Sequence, residues 1–340
     1  MNHELRSLLT LLGVEGLDEE AAWQRVLLVL NHGCVPAQEG NPPWGFKLLL
    51  LDQRGEPEWF VRCSWATQEA MLLETSVLEA LTHDEVGRRH VPEVRTAHTE
   101  RIFLHLSRHL GVRSYGSNLH SVTESRWVGD LTEVIGVSET LMQRATTLLP
   151  SLRTQRTTAD RQRAALHDLA IVSEGGGASP GAIAAIAAVL ERVSSLPFML
   201  QHGDLWPANI LRGEHGWWLI DFAECGMVWV PCYDLLHMLH SAPPTVSRHW
   251  YAREGREHAD SWCRARWSVL RDVSERHSLS AADVGTCLVY YLVHLTAYRL
   301  RPGVPKRWSV QLLESIERVG AFLASGGRID DLVPFSDGAG

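Results

Sequence analysis

The first third of the chain alternates between short apolar runs and polar turns. Three runs rich in valine, leucine and aromatic residues, at 23–30, 45–52 and 58–63, are separated by segments that contain glycine and proline. Such a pattern is typical of successive strands in an antiparallel sheet. Two later segments, RIFLHL at 101–106 and SNLHSVTESRW at 117–127, are predicted as further strands.

A helical pattern follows the third strand, because apolar residues between 66 and 81 recur at spacings of three and four. Glu74 falls on the same stripe as Leu78 and Leu81, so its carboxylate is predicted to point inward. The alternative is a solvated Glu74 at the border of the stripe. A carboxylate turned toward a core needs a cationic partner, and Arg62 on the preceding strand is the nearest candidate.

The second half is predicted to be mainly helical. Helical periodicity covers 137–152, 159–172, 181–193 and 284–300, and Pro180 stands at a natural position for the start of the third of these helices. The last is interpreted as a core helix. A strand-rich first part and a helical second part predict an α+β fold. The boundary is placed at the polar, glycine-containing WVGDL, which gives domains of 1–127 and 128–340.

Between the third and fourth of these helices lies a segment with a different pattern. Two short apolar runs, at 209–211 and 217–220, flank the turn RGEHG and predict a β-hairpin. Asn209 and Asp221 stand at the ends of this hairpin, which can hold them close together. Asp204 precedes them in a non-helical loop and can be delivered to the same place.

Three oxygen-bearing side chains at loop and strand ends suit magnesium, a hard cation that takes oxygen ligands and keeps waters and substrate phosphates. Two of them can bind the metal, and the third carboxylate can orient a hydroxyl for attack on a γ-phosphate. Asp and Asn are also common turn residues. The three together, at separations of 5 and 12 residues, favour the phosphoryl-transfer interpretation.

The string HGDLWPANIL followed by LIDF resembles the catalytic loop and metal-binding segment of the aminoglycoside phosphotransferase and choline kinase family, small-molecule relatives of protein kinases. The resemblance implies a two-lobed, protein-kinase-like fold with Asp204 as catalytic base and Asn209 and Asp221 as magnesium ligands. His202 is implied to be a scaffold residue. Downstream, VPCYDLLHML resembles the family's next helix, and Asp234 there is expected to cap or brace the catalytic loop.

The resemblance also implies that the first lobe binds the nucleotide through a strand lysine paired with a helix glutamate. In this sequence the matching strand WFVRC offers Arg62, with Glu74 as the glutamate, and Lys47 on the preceding strand is the alternative cation. Arginine has a planar, forked head, so this replacement is not chemically neutral.

The composition limits the partners and the cellular location that this chemistry can have. A formal net charge of −8 over 340 residues argues against a protein that neutralises nucleic-acid phosphates, and it is compatible with a cationic substrate. The six cysteines include no C-x-x-C pair, so they are interpreted as reduced thiols. The N-terminal residues lack a secretory signal pattern and no apolar run is long enough to span a bilayer. A cytoplasmic protein without a membrane partner is expected.

The predicted function is therefore magnesium-dependent transfer of the γ-phosphate of ATP, or of GTP, to a hydroxyl group of a small molecule. The acceptor can be an antibiotic, an amino alcohol, a sugar or a specialised metabolite. Any oligomeric state is compatible with the sequence. A nucleotide-binding regulatory pseudokinase is the alternative, motivated by Arg62 and by the few glycines between the first two strands. A protein kinase ranks below both.

Overall fold

Most of the chain is described by a computed structural model. The described residues are 26–29, 46–51, 57–64, 69–98, 103–108, 113–114, 124–154, 158–176, 178–213, 216–240, 256–300 and 309–333. The chain forms two compact units, one of 1–113 and 211–223 and the other of 114–210 and 224–340.

Short strands make up much of the described part of the first unit. They are β1 (Val26–Val29), β2 (Phe46–Leu51), β3 (Pro57–Ser64), β4 (Val94–His98) and β5 (Phe103–Arg108). They pair antiparallel in the order β1-β2-β3-β5-β4. The predicted strands at 23–30, 45–52, 58–63 and 101–106 are confirmed over their described residues, and β4 was not predicted.

A helix, α1 (Glu69–His83), follows β3 in the first unit and confirms the predicted helix. Its buried stripe includes Val77, Leu78 and Leu81, each at most 1% exposed. On the outer side, Thr96 Oγ1 of β4 donates a hydrogen bond to Glu79 Oε1 at 3.2 Å. Helix α1 therefore buries one face and ties its opposite edge to the sheet.

The first unit takes in a hairpin from much later in the sequence. Its strands are β7 (Ile210–Gly213) and β8 (Gly216–Leu219), which form a three-stranded sheet with β6 (Arg113–Ser114). The Leu219 N–H donates to the His90 carbonyl at 2.9 Å, and His90 Nδ1 lies 2.8 Å from the Trp217 carbonyl. Both Trp217 and Leu219 are buried. The predicted hairpin is confirmed.

Helices dominate the second unit. They are α2 (Glu124–Leu148), α3 (Ser151–Thr154), α4 (Thr158–Glu174), α5 (Pro180–Leu190), α6 (Tyr233–His240), α7 (Arg256–Arg276), α8 (Ala281–Leu300) and α9 (Val310–Ala324). The predicted helices are confirmed, and Pro180 begins α5 with Ser179 Oγ accepting from the Ala182 N–H at 3.3 Å. Helix α8 packs against α4, α5, α6 and α9, so it is the predicted core helix.

Two predictions near residue 127 differ from the structure. Residues 124–127, predicted as part of a strand, are the first turn of α2, and residues 117–123 lie outside the described residues. The polar and glycine residues of WVGDL suggested a non-helical segment. In the structure, Trp127 and Asp130 are buried on one face of a helix. The predicted boundary at 127/128 thus falls inside α2, whereas the two compact units change over at 113/114.

Among the described residues, no single helix has the length and apolar composition needed to cross a membrane. Taken together, the adjoining segments Arg264–Arg276 and Ala281–Leu300 pass that test, but they are bent by 115° at their junction.

Close packing of α5 against α9 generates a stability prediction. A Cβ added at Gly320 of α9 would overlap the Cβ of Ala182 and lie 2.7 Å from the Ala182 α-carbon. Gly320→Ala should therefore lower the free energy of unfolding by about 1–3 kcal/mol, as overpacking does. The matched control is Gly129→Ala in α2, where an added Cβ would meet no described atom beyond the helix's own backbone and its chain neighbours, so stability should rise by about 0.5–1 kcal/mol. Chemical denaturation measures both, and equal effects at the two positions would contradict the close approach.

Candidate active site

The loop from His202 to Asn209 connects the helical part of the second unit with strand β7. It ends in a single 3-10 turn, Pro207–Asn209, whose first position suits the fixed φ of proline. Most of the loop is buried, but Asp204 is partly exposed and Trp206 is 41% exposed. The loop thus presents one carboxylate and one aromatic ring from an otherwise packed backbone.

One carboxylate from α6 holds the start of this loop. Asp234 is 4% exposed, and its Oδ2 accepts from the His202 N–H at 2.8 Å while its Oδ1 accepts from the Gly203 N–H at 2.9 Å. The Ser138 hydroxyl of α2 also donates to Oδ2 at 3.1 Å. Hydrogen bonds to an ionised acceptor are the stronger kind, so Asp234 fixes two consecutive peptide groups. The expected bracing role of Asp234 is confirmed.

A second brace comes from Gln201. Its Oε1 accepts from the Asp234 N–H at 3.1 Å, and its Nε2 donates to the Leu200 carbonyl at 3.2 Å. Its own N–H donates to the Val228 carbonyl at 3.1 Å. The Gln201 side chain therefore bonds to the backbone at the start of α6, and the Asp234 side chain bonds to the backbone at the start of the loop. Together they hold these two segments against each other.

Gly203 is required by both conformation and space. Its φ is +90°, and an added Cβ would lie 2.6 Å from the Glu224 carbonyl oxygen. A residue with a side chain would be strained at this φ and would also push away the segment that follows β8. The glycine of the HGD string thus allows a close backbone crossing.

Asp204 and Asn209 are in direct contact. The Asn209 amide nitrogen donates to the Asp204 carboxylate Oδ2 at 2.9 Å and to the Asp204 backbone carbonyl at 2.8 Å. Asn209 is 7% exposed, so the pair is fixed on one side by packing. Because both donor contacts use the amide nitrogen, the amide oxygen is the group of Asn209 that can serve a cation.

A residue that the sequence analysis missed also contacts Asp204. His237 of α6 places its Nε2 3.4 Å from Asp204 Oδ1, and its Nδ1 lies 3.3 Å from the Tyr291 hydroxyl. The available signal was positional, because His237 stands three residues after Asp234 in the same helix and so shares its face. His202, by contrast, is fully buried and its Nδ1 lies 3.4 Å from the Asp204 N–H, which agrees with a scaffold position.

Asp221 belongs to the first unit, where it comes two residues after β8. Its φ is +64°, a left-handed conformation that Asp tolerates better than most residues and that is enriched at functional sites. The next residue, Phe222, is completely buried and begins a 3-10 turn. The buried ring anchors the backbone directly after the aspartate.

The predicted nucleotide-binding residues also lie in the first unit. Glu74 is 1% exposed, whereas Glu79 on the same helix is exposed, so the inward orientation is confirmed and the solvated alternative is wrong. Lys47 of β2 and Arg62 of β3 are directly opposite each other in the strand register. The side chains of Lys47 and Arg62 lie outside the described part of the structure, and their roles stay predictions.

Strain and crowding at Gly203 generate one prediction. Gly203→Ala should lower the free energy of unfolding by about 2 kcal/mol more than Gly176→Ala. Both glycines have a positive φ, but only at Gly203 would an added Cβ overlap a neighbouring segment of the described chain. Thermal unfolding of the two variants measures the difference. Equal destabilisation would show that conformation alone, and not the crossing at Glu224, requires the glycine.

Loss of the Asp234 brace generates a second prediction. Asp234→Asn keeps the size but replaces one acceptor oxygen by a donor, so a buried N–H of the loop loses its partner at a cost of about 2–3 kcal/mol. Urea unfolding should detect this loss. Asp272→Asn on the exposed face of α7 is the control, with an effect below about 0.5 kcal/mol.

Comparisons with known proteins agree with this geometry. Residues 47–270 match the model of the phosphotransferase enzyme family, APH. No protein with a curated function matches the chain. The match covers the loop at 202–209, Asp221 and helix α6.

Several solved structures share the fold. A protein of Ralstonia eutropha JMP134, provisionally assigned as an aminoglycoside phosphotransferase, superposes with a TM-score of 0.57 at 15% identity, covering 95% of this chain and 98% of that one. ADP-bound aminoglycoside phosphotransferase APH(2'')-Ib gives 0.53 at 12% identity, covering 95% and 99%. The GDP and kanamycin complex of APH(2'')-IIIa gives 0.52 at 13% identity, covering 94% and 99%.

These similarities establish the predicted α+β, two-lobed, kinase-like fold. The family model spans well over half of the sequence, including the loop that carries Asp204 and Asn209. The chain belongs to the phosphotransferase enzyme family.

Proposed function

We propose that this protein transfers the γ-phosphate of ATP, or of GTP, to a hydroxyl group of a small molecule. The observation that carries the proposal is the Asp204–Asn209 pair, held at 2.9 Å in a loop whose backbone is bonded to a buried carboxylate. Phosphoryl transfer depends mainly on positioning and charge neutralisation, so a rigid loop with two polar side chains suits it.

Asp204 is the proposed catalytic base. Its side chain is 39% exposed, so a substrate hydroxyl can reach it, while its backbone is fixed by neighbours on both sides. An ionised carboxylate accepts the hydroxyl hydrogen and directs the oxygen toward the phosphorus atom. The carboxylate must be within hydrogen-bond reach of the acceptor for this role.

Magnesium is the proposed metal, with Asn209 and Asp221 as its protein ligands. The amide oxygen of Asn209 and the carboxylate of Asp221 are the hard oxygen donors that this ion takes, and one or two such ligands suffice when phosphates supply the others. Among the described residues there is no group of three histidine, cysteine or acidic side chains that could hold a metal. When bound, the ion would neutralise charge on the phosphates.

The nucleotide is proposed to bind in the predicted domain 1–127. Glu74 supports this assignment, because a carboxylate at 1% exposure in α1 is costly unless it orients a cation. Arg62 is the proposed phosphate-binding cation, with Lys47 opposite it as the alternative. Catalysis and acceptor binding are assigned to the predicted domain 128–340.

The acceptor is proposed to be a hydroxylated molecule that also carries amino groups. Kanamycin is bound in one solved structure of the same fold, and the net charge of −8 favours a cationic substrate. The exposed ring of Trp206, two residues from the base, offers an apolar face against which a ring of the substrate can pack. A cytoplasmic location is proposed, because a cellular nucleotide and reduced thiols would both suit it.

Nucleotide binding is the first expected outcome. Isothermal titration of the full chain with ATP and GTP should show binding that requires magnesium, and Asp221→Ala should weaken it by about 10-fold or more, as loss of a metal ligand does. Asp272→Ala is the control and should bind as the native chain does. Binding that is unchanged by magnesium and by Asp221→Ala would contradict the metal assignment.

Phosphate transfer is the second expected outcome. Kanamycin, glucosamine and choline are incubated with radiolabelled ATP, and labelled product is counted. Asp204→Asn should lower kcat by a factor on the order of 10² or more while ATP binding is kept, because the base is lost but the nucleotide contacts are not. Full activity in this variant would refute the base assignment. Nucleotide binding without transfer to any acceptor would favour the pseudokinase alternative.

A further inference from the structure

The carboxylate of Asp204 is approached from two sides. Asn209 donates to its Oδ2, and the Nε2 of His237 lies 3.4 Å from its Oδ1. His237 is 5% exposed and comes from α6, the helix that also carries Asp234. One helix therefore supplies both the carboxylate that bonds to the loop backbone and the imidazole that faces the proposed base.

The second ring nitrogen of His237 lies beside a phenol that can set its tautomer. Its Nδ1 lies 3.3 Å from the hydroxyl of Tyr291 in α8. Burial raises the pKa of Tyr291 well above its ordinary value, so this group stays a phenol with a proton to donate. When the phenol donates to Nδ1, the neutral imidazole carries its proton on Nε2, which is the atom that faces the carboxylate.

Aromatic packing holds the imidazole in this orientation. The ring of Tyr233 stacks on His237 with centroids 6.3 Å apart and planes 14° apart, and Tyr291 meets it edge-on at 6.1 Å. Tyr233 and Tyr291 also contact each other edge-on at 5.3 Å. The two tyrosine rings thus pack on two sides of the imidazole and restrict its rotation.

We infer that Tyr291 and His237 are positioning residues for Asp204, with Tyr291 setting the tautomer of His237 and His237 donating its Nε2–H to the Asp204 carboxylate. This inference rests on the proposed phosphotransfer. Both carboxylate oxygens then have a fixed donor, so the lone pair that accepts the hydroxyl hydrogen has a defined direction. The distance of 3.4 Å is long for this hydrogen bond, and catalytic hydrogen bonds commonly tighten only when substrate is bound.

Steady-state kinetics with three variants test this role. His237→Ala removes the donor and should lower kcat on the order of 10–100-fold with the KM for ATP nearly unchanged, because no nucleotide contact is lost. His237→Gln places an amide N–H close to the position of Nε2 and should recover most of that loss. Tyr291→Phe keeps the ring but frees the tautomer, so kcat should fall by about 10-fold or less.

The chain offers a matched control in a second, partly buried histidine. His294 of α8 lies 2.7 Å from Asp168, and its ring stacks on Tyr290 and meets Tyr233 edge-on at 5.5 Å. His294→Gln perturbs the same core without touching the base, so kcat should stay within about 3-fold of the native value. Equal losses of kcat in His237→Ala and His294→Gln, or no recovery with His237→Gln, would show a packing effect only and overturn the inference.

A spectroscopic test separates this inference from the proposed function. In protein with ¹⁵N-labelled histidine, the two-bond correlation spectrum distinguishes the tautomers, and His237→Gln assigns its signals. The inference expects protonation at Nε2 in the native chain and a shift of the Nδ1 signal in Tyr291→Phe. Protonation at Nδ1 would refute it even for an active enzyme, whereas the expected spectrum in a chain without phosphotransfer would fault the proposed function alone.

Discussion

The candidate site in the second unit depends on the hydrogen bonds between the Asp234 carboxylate and the backbone of the loop. A loop that must turn sharply at Gly203 cannot pair its peptide groups within a helix or a sheet, and buried N–H groups without partners are costly. Asp234 accepts from two of them, and Ser138 and Gln201 fix it in turn. A buried charge is thereby stabilised by oriented dipoles, and the dipoles by the charge.

The same helix links backbone support to side-chain chemistry. A residue that follows Asp234 by one turn must face the loop as well, and His237 occupies that position. Two residues of helix α6 therefore contact the loop: Asp234 bonds to its peptide groups, and His237 faces the carboxylate of Asp204. Catalytic groups supported by packed helices are held more precisely than those supported by loops, which suits a reaction driven by positioning.

Local patterns predicted much of this molecule, whereas tertiary contacts were harder to predict. The strand runs, the helix carrying Glu74 and the hairpin before Asp221 depend on periodicity and turn chemistry, and the structure confirmed them. The helix start at Glu124 was missed because polar letters around Trp127 concealed its buried face. The Asp204–His237 contact joins residues 33 positions apart through α6 and could not be read from spacing within the loop.

The first unit is discontinuous in sequence, which bears on the order in which the protein folds during synthesis. Its sheet and α1 are complete by residue 113, but the hairpin that buries Trp217 and Leu219 against the His90 segment is made only after about a hundred further residues. A nascent chain released before residue 223 lacks that cover. The ribosome must therefore make nearly half of the helical unit, residues 114–210, before the N-terminal unit reaches its full stability, so domain-by-domain folding from the N-terminus cannot apply in its simple form.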